Sequence, residues 1–122
     1  HNITQWSNGM FYHFNQNNSG GWCHNDENLC QHVIIEAENA AKANELAESI
    51  GIYFNGVEDN LDCSCCGDRW RRVWGQGDDE PLLYGTHPAA YTAHFVEPGE
   101  VFCRVFYLDG RIAEFRRRLG VI

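Results

Sequence analysis

The run Gln31-His-Val-Ile-Ile-Glu-Ala37 constrains the fold most. It is β-branched and nearly continuous in apolar residues, the pattern of a strand buried on both faces. Directly after it, Asn39 stands where the N-cap of a helix belongs. The helix is predicted to continue to about Ser49, with Ala40, Ala43, Leu46, Ala47 and Ile50 on one face. Gly51 then fits the left-handed position beyond a helix end. A buried strand that feeds straight into an amphipathic helix calls for a sheet with the helix lying across it.

The remaining strand signals are weaker but numerous. Residues 10–14 alternate, residues 52–54 and 72–74 read as short strands, and residues 81–84 read as extended. Residues 90–97, 101–108 and 111–117 are each strand-like, divided by Pro98-Gly99 and by Asp109-Gly110, the strongest hairpin signal in the chain. Residues 1–9 read as an arm or edge strand. The expected architecture is a single α+β domain over residues 1–122: an antiparallel sheet with one main helix and a C-terminal three-stranded meander. Residues 101–108 are apolar on both faces except at Arg104. One helix covers one face, so a second subunit is the economical cover for the other, and a homo-oligomer is expected.

At 122 residues with 43% apolar composition, the chain can bury a core without disulfides. Its net charge of −8 argues against nonspecific binding to duplex nucleic acid. No apolar stretch reaches the length of a membrane span and no basic-then-apolar leader opens the sequence, so a soluble, cytoplasmic protein is expected. The charge is unevenly placed. Up to Asp68 a single basic residue, Lys42, faces ten acidic ones; from Arg69 onward there are eight arginines and no lysine. Arginine forks hold carboxylate and phosphate bidentately and stack on rings, so this set suits anion pockets or interfaces. Their alternative role is to neutralise the acidic half.

Six cysteines occur, at 23, 30, 63, 65, 66 and 103. Reduced, partly buried thiols are the expected state. Zinc is the alternative, with Cys63, Cys65 and Cys66 joined by Cys23, His24, Cys30 or His32, but no intact zinc knuckle is present. No metal ligand and no cofactor is assigned. Enzyme signatures are thin: no nucleophile elbow, no P-loop, no HExxH helix and no dinucleotide fingerprint. No catalytic residue is assigned either. A thiol nucleophile among Cys63, Cys65 and Cys66, activated by nearby arginines, stays open.

Two segments carry binding chemistry. The first is Phe11-Tyr-His-Phe-Asn-Gln-Asn-Asn-Ser-Gly-Gly21. Its aromatics alternate into a run of amides, and amides supply the donors and acceptors that read a nucleobase edge. A plain polar hairpin loop is the structural alternative, though five polar residues precede the glycines where two would close a turn. The second is Asp62-Cys-Ser-Cys-Cys-Gly-Asp-Arg-Trp-Arg-Arg-Val-Trp74. As a strand it would place Trp70, Arg72 and Trp74 on one face, a stacking platform with a cation in it. One of these tryptophans belonging to the core is the competing reading. The candidate ligand-binding residues are Tyr12, Phe14 and Trp70 for stacking, Asn15, Gln16, Asn17 and Asn18 for base edges or ribose, and Arg69, Arg71 and Arg72 for phosphate.

These two blocks, with His32-Val-Ile-Ile-Glu-Ala37, Gly51-Ile-Tyr-Phe54 and Leu83-Tyr-Gly85, give the chain a resemblance to a widespread family of small tailed-phage proteins, over roughly residues 10–85. Small phage proteins of this kind look similar to the sponges that act against nucleotide-signalling immunity of the CBASS type. The resemblance implies a homo-oligomeric binder, in the cytoplasm of an infected bacterium, that sequesters a cyclic dinucleotide or related nucleotide signal without cleaving it. Two other classes compete: an inhibitor that binds a host protein through acidic mimicry, and a small cysteine- or metal-dependent nucleotide-processing enzyme.

Overall fold

Four strands form one sheet in the order β1-β2-β3-β4, with β1 at Met10–Asn15, β2 at His32–Ala37, β3 at Val101–Phe106 and β4 at Ile112–Arg116. The computed structural model describes residues 9–19 and 23–119. The expected N-terminal arm over residues 1–8, the glycine pair at 20–21, Trp22 and residues 120–122 lie outside the described residues. The expected α+β class holds: a mixed four-stranded sheet carries one main helix, α1, at Ala40–Ser49.

Every residue of β2 is buried, as a strand covered on both faces requires. Helix α1 begins where expected. The Asn39 side chain accepts from Lys42 N at 2.9 Å, which satisfies one free N–H of the first turn. Ala43 and Ala47 pack under the sheet with Tyr12, Phe14, Val33, Ile35 and Trp70. The opposite face carries Phe11, Ile34, Phe102 and Val105, covered by Leu83, Ala93 and Val96.

Several expectations need correction. The sheet is not wholly antiparallel, because β2 and β3 run parallel. The C-terminal meander has two strands, β3 and β4, not three. Residues 90–97 form no strand: Pro88 opens a 3₁₀ turn at Pro88–Ala90, capped by the His87 ring, and Phe95 takes a left-handed φ of 66°. Residues 52–54 and 72–74 are likewise irregular. At Val73 the reason is visible. The Asn44 side chain of α1 accepts from Val73 N at 2.9 Å and donates to Val73 O at 3.1 Å, replacing a strand partner. The ground for expecting a second subunit also falls away, because the chain's own residues 83–96 cover the second face.

Candidate functional site

The amide segment and the arginine–tryptophan segment meet. Strand β1 ends at Asn15, and the chain then crosses to residues 66–69, where Asn17 N donates to Arg69 O at 2.9 Å. Asn17 Nδ2 donates to Cys66 O at 2.8 Å and to Asp68 O at 3.1 Å. Asn17 Oδ1 accepts from Ser19 N and from Ser19 Oγ. One amide thus uses its full hydrogen-bonding capacity to fasten the two segments together. Beside this seam lies an open cleft of about 820 Å³, lined by both segments: Asn15, Asn17, Asn18 and Ser19 on one side, Arg71, Arg72 and Trp74 on the other.

The ten candidate residues divide into two groups. Phe14 and Trp70 are 1% exposed and belong to the core, so neither stacks on a ligand. Tyr12 is also buried, although its ring forms part of the cleft wall. Gln16 is a buried bracket: it donates to His24 O and Cys30 O and accepts from His24 N and from Arg69 Nη1. Arg69 faces away from the cleft. Its backbone N–H donates to Asp62 Oδ2 at 2.8 Å, and its guanidinium lies 3.9 Å from Asp62 Oδ1. Gln16 and Arg69 are structural because they bond to groups inside the fold, and Phe14 and Trp70 because they are buried in the core.

The second group is left to act. Asn15, Arg71 and Arg72 are exposed on the cleft, and Asn18 is half-buried there. Asn18 Nδ2 is shielded from solvent and has no hydrogen-bond partner among the described residues. Arg71 and Arg72 form no ion pair among the described residues, and Arg72 Cζ rests 4.8 Å from the Phe54 ring centroid. Trp74, absent from the ten candidates, is 86% exposed at the cleft. Its position beside Gly75 and Gly77, in a segment too polar to bury it, was the available signal.

His13 also lines the cleft, and its Nε2 lies 2.8 Å from His32 Nδ1. Burial pushes the His13 imidazole down to about 4, and burial with the neighbouring His13 pushes His32 down to about 3. Both rings are therefore neutral at neutral pH. Among the described residues, the formal charges on the cleft wall are the guanidiniums of Arg71 and Arg72 and the carboxylate of Asp78, a local excess of one positive charge in a chain of −8. Among the described residues no three His, Cys, Asp or Glu side chains are grouped to hold a metal ion.

The cleft floor depends on Gly77, whose φ is +73°. A Cβ there would lie 2.9 Å from Phe11 O and 3.0 Å from Tyr12 ring carbons. Gly75 has φ +86° but nothing within 4 Å of an added Cβ. Gly77→Ala is expected to destabilise by about 2 kcal/mol or more, through left-handed strain plus the clash, and Gly75→Ala by about 1 kcal/mol through strain alone. Urea midpoints of the two variants check this; equal losses would mean that the floor is not packed as described.

A family model described as Domain of unknown function (DUF7296) matches residues 9–121. The chain belongs to that family. The match takes in β1 to β4, α1 and every cleft-lining residue named above. No curated protein and no solved structure matches the chain. Among the described residues no helix is long and apolar enough to cross a membrane.

Proposed function

We propose that the cleft binds and sequesters an anionic nucleotide signal, of the cyclic dinucleotide class or a close relative, and releases it unchanged. The observation that carries this reading is the convergence of residues 15–19 with residues 71–74 on one 820 Å³ cleft. That volume is of the size that small-molecule sites occupy. The acting residues are Asn15 and Asn18 for base edges or ribose, Trp74 for stacking, and Arg71 and Arg72 for phosphate. Asn18 Nδ2 supports the reading, since a shielded donor with no acceptor among the described residues gains from one that a ligand supplies. The phage setting and the role against nucleotide-signalling immunity belong to the same proposal.

The test is calorimetric titration of the protein with a panel of cyclic di- and trinucleotides, followed by heat release and chromatography of the bound fraction. Recovery of intact nucleotide from a tight complex is the expected result. Recovery of a hydrolysed product would replace sequestration with catalysis, and no affinity for any member of the panel would end the proposal. Arg71→Ala and Arg72→Ala are each expected to weaken binding about tenfold or more, since a hydrogen bond to a charged partner contributes roughly 1.5–3 kcal/mol. Both side chains are exposed, so their loss is expected to cost folding about 1 kcal/mol or less, the Arg72 contact with the Phe54 ring included.

A further inference from the structure

Three thiols stand within four consecutive positions, Cys63-Ser-Cys65-Cys66. The Cys63 carbonyl accepts from Cys66 N at 3.2 Å and from Gly67 N at 3.0 Å, which closes a single tight turn. Gly67, at φ +88°, ends it. We propose that this turn is a thiol–disulfide exchange site in which Cys63 attacks and Cys66 resolves.

The backbone closure of the turn points to the pair. A turn closed between positions i and i+3 brings their Cα atoms within about 7 Å, close to the span a disulfide bridges. Cys65 and Cys66 are nearer by sulfur, at 3.7 Å. They are adjacent in the chain, however, and neighbouring Cα atoms about 3.8 Å apart lie below the range of an unstrained disulfide. Cys63 is equipped to attack. It is exposed, and Cys65 N donates to its sulfur at 3.4 Å, which favours the thiolate. Hydrogen bonds from Cys65, side chain and backbone, hold the Cys63 thiol below its ordinary range, whereas Cys65, bonded to both neighbouring thiols, is pushed up to about 11. Cys30 and Cys103 are buried in the core and raised by burial, so they stay out of the reaction.

The co-reactant is a small-molecule disulfide. The Cys63 thiolate attacks one of its sulfurs, forming a mixed disulfide and expelling the first small thiolate. Cys66 loses its proton to solvent and attacks the Cys63 sulfur, forming the Cys63–Cys66 bond and expelling the second thiolate. Two protein thiols are oxidised, and the small disulfide is reduced to two thiols. None of this depends on a ligand in the cleft.

The experiment is incubation of the full chain with oxidised glutathione near pH 7.5, read by intact mass and by peptide mapping without reduction. The expected product has lost two hydrogens and carries a Cys63–Cys66 bond. Cys66→Ser is expected to accumulate glutathione on Cys63, and Cys63→Ser to slow oxidation of the turn at least about tenfold. Cys65→Ser, whose hydroxyl can still donate to the Cys63 sulfur, is expected to form the same Cys63–Cys66 bond. A bond that maps to Cys65, a Cys63→Ser variant that reacts at the parental rate, or thiols that stay reduced would each overturn the proposal. All three positions lie on an exposed or half-buried loop, and circular dichroism of each variant confirms folding.

Discussion

Acidification from pH 7.5 to pH 5 is expected to remove about 4 kcal/mol of folding stability through the His13–His32 pair. In the unfolded chain both imidazoles titrate near 6.5; in the folded chain they sit at about 4 and about 3. At pH 7.5 and above both rings are almost wholly uncharged in either state, and the pair's contribution is complete. As the pH falls through 6.5, the unfolded chain takes up protons that the folded chain refuses, and the balance shifts toward unfolding until the folded values are reached. Over this interval each ring loses about 1.5 pH units' worth, roughly 2 kcal/mol. A small domain holds only about 5–15 kcal/mol in all. The lowered carboxyls of Asp26 and Glu114 act in a more acidic window, since their contribution fades only as the pH falls through the carboxylate range. Urea midpoints across pH 7.5 to 5 measure the slope, and His13→Gln is expected to cut it by about half. A flat profile in the parent protein would show that the two rings are not held neutral.

The second large effect separates two tryptophans four residues apart. Trp70→Ala is expected to cost about 3–5 kcal/mol, because the indole is buried among Phe14, Phe54 and α1 and its removal leaves a cavity. Trp74→Ala is expected to stay within about 0.5 kcal/mol, because that indole is exposed and supports nothing beneath it. If the cleft binds nucleotide, the order reverses for affinity, and Trp74→Ala loses binding with folding intact. Urea denaturation of the two variants decides the first contrast; similar losses, or a larger loss at Trp74, would contradict the placement of the two rings.

Where the sequence was legible, a single physical signal was unopposed. Strand β2 followed from its β-branched run, α1 from the Asn39 cap and the Ala43/Ala47 spacing, and the β3–β4 hairpin from Asp109-Gly110. Strand direction was not legible, because side-chain alternation is the same whether β3 runs with β2 or against it. Residues 72–74 carried a strand pattern, yet the Asn44 amide took the hydrogen bonds a neighbouring strand would have made. The same limit divided the candidate site. Nothing in Asn15-Gln-Asn-Asn18 tells that Gln16 and Asn17 satisfy backbone groups from residues 24–30 and 66–68, leaving Asn15 and Asn18 facing the cleft. Spacing put Trp70 and Trp74 on one face; tertiary packing sent one inward and the other out.

The parallel partnership of β2 with β3 joins segments separated by residues 38–100. Closing so long a stretch costs chain entropy before the central ladder returns any enthalpy, so the β2–β3 pairing is expected to form after the more local ones. The β1–β2 and β3–β4 pairings are local by comparison, so each half-sheet can assemble early and wait for the other. A nascent chain must therefore expose the edge of β2 until synthesis has passed β3, an interval in which a chaperone, or a neighbouring copy, competes for that edge.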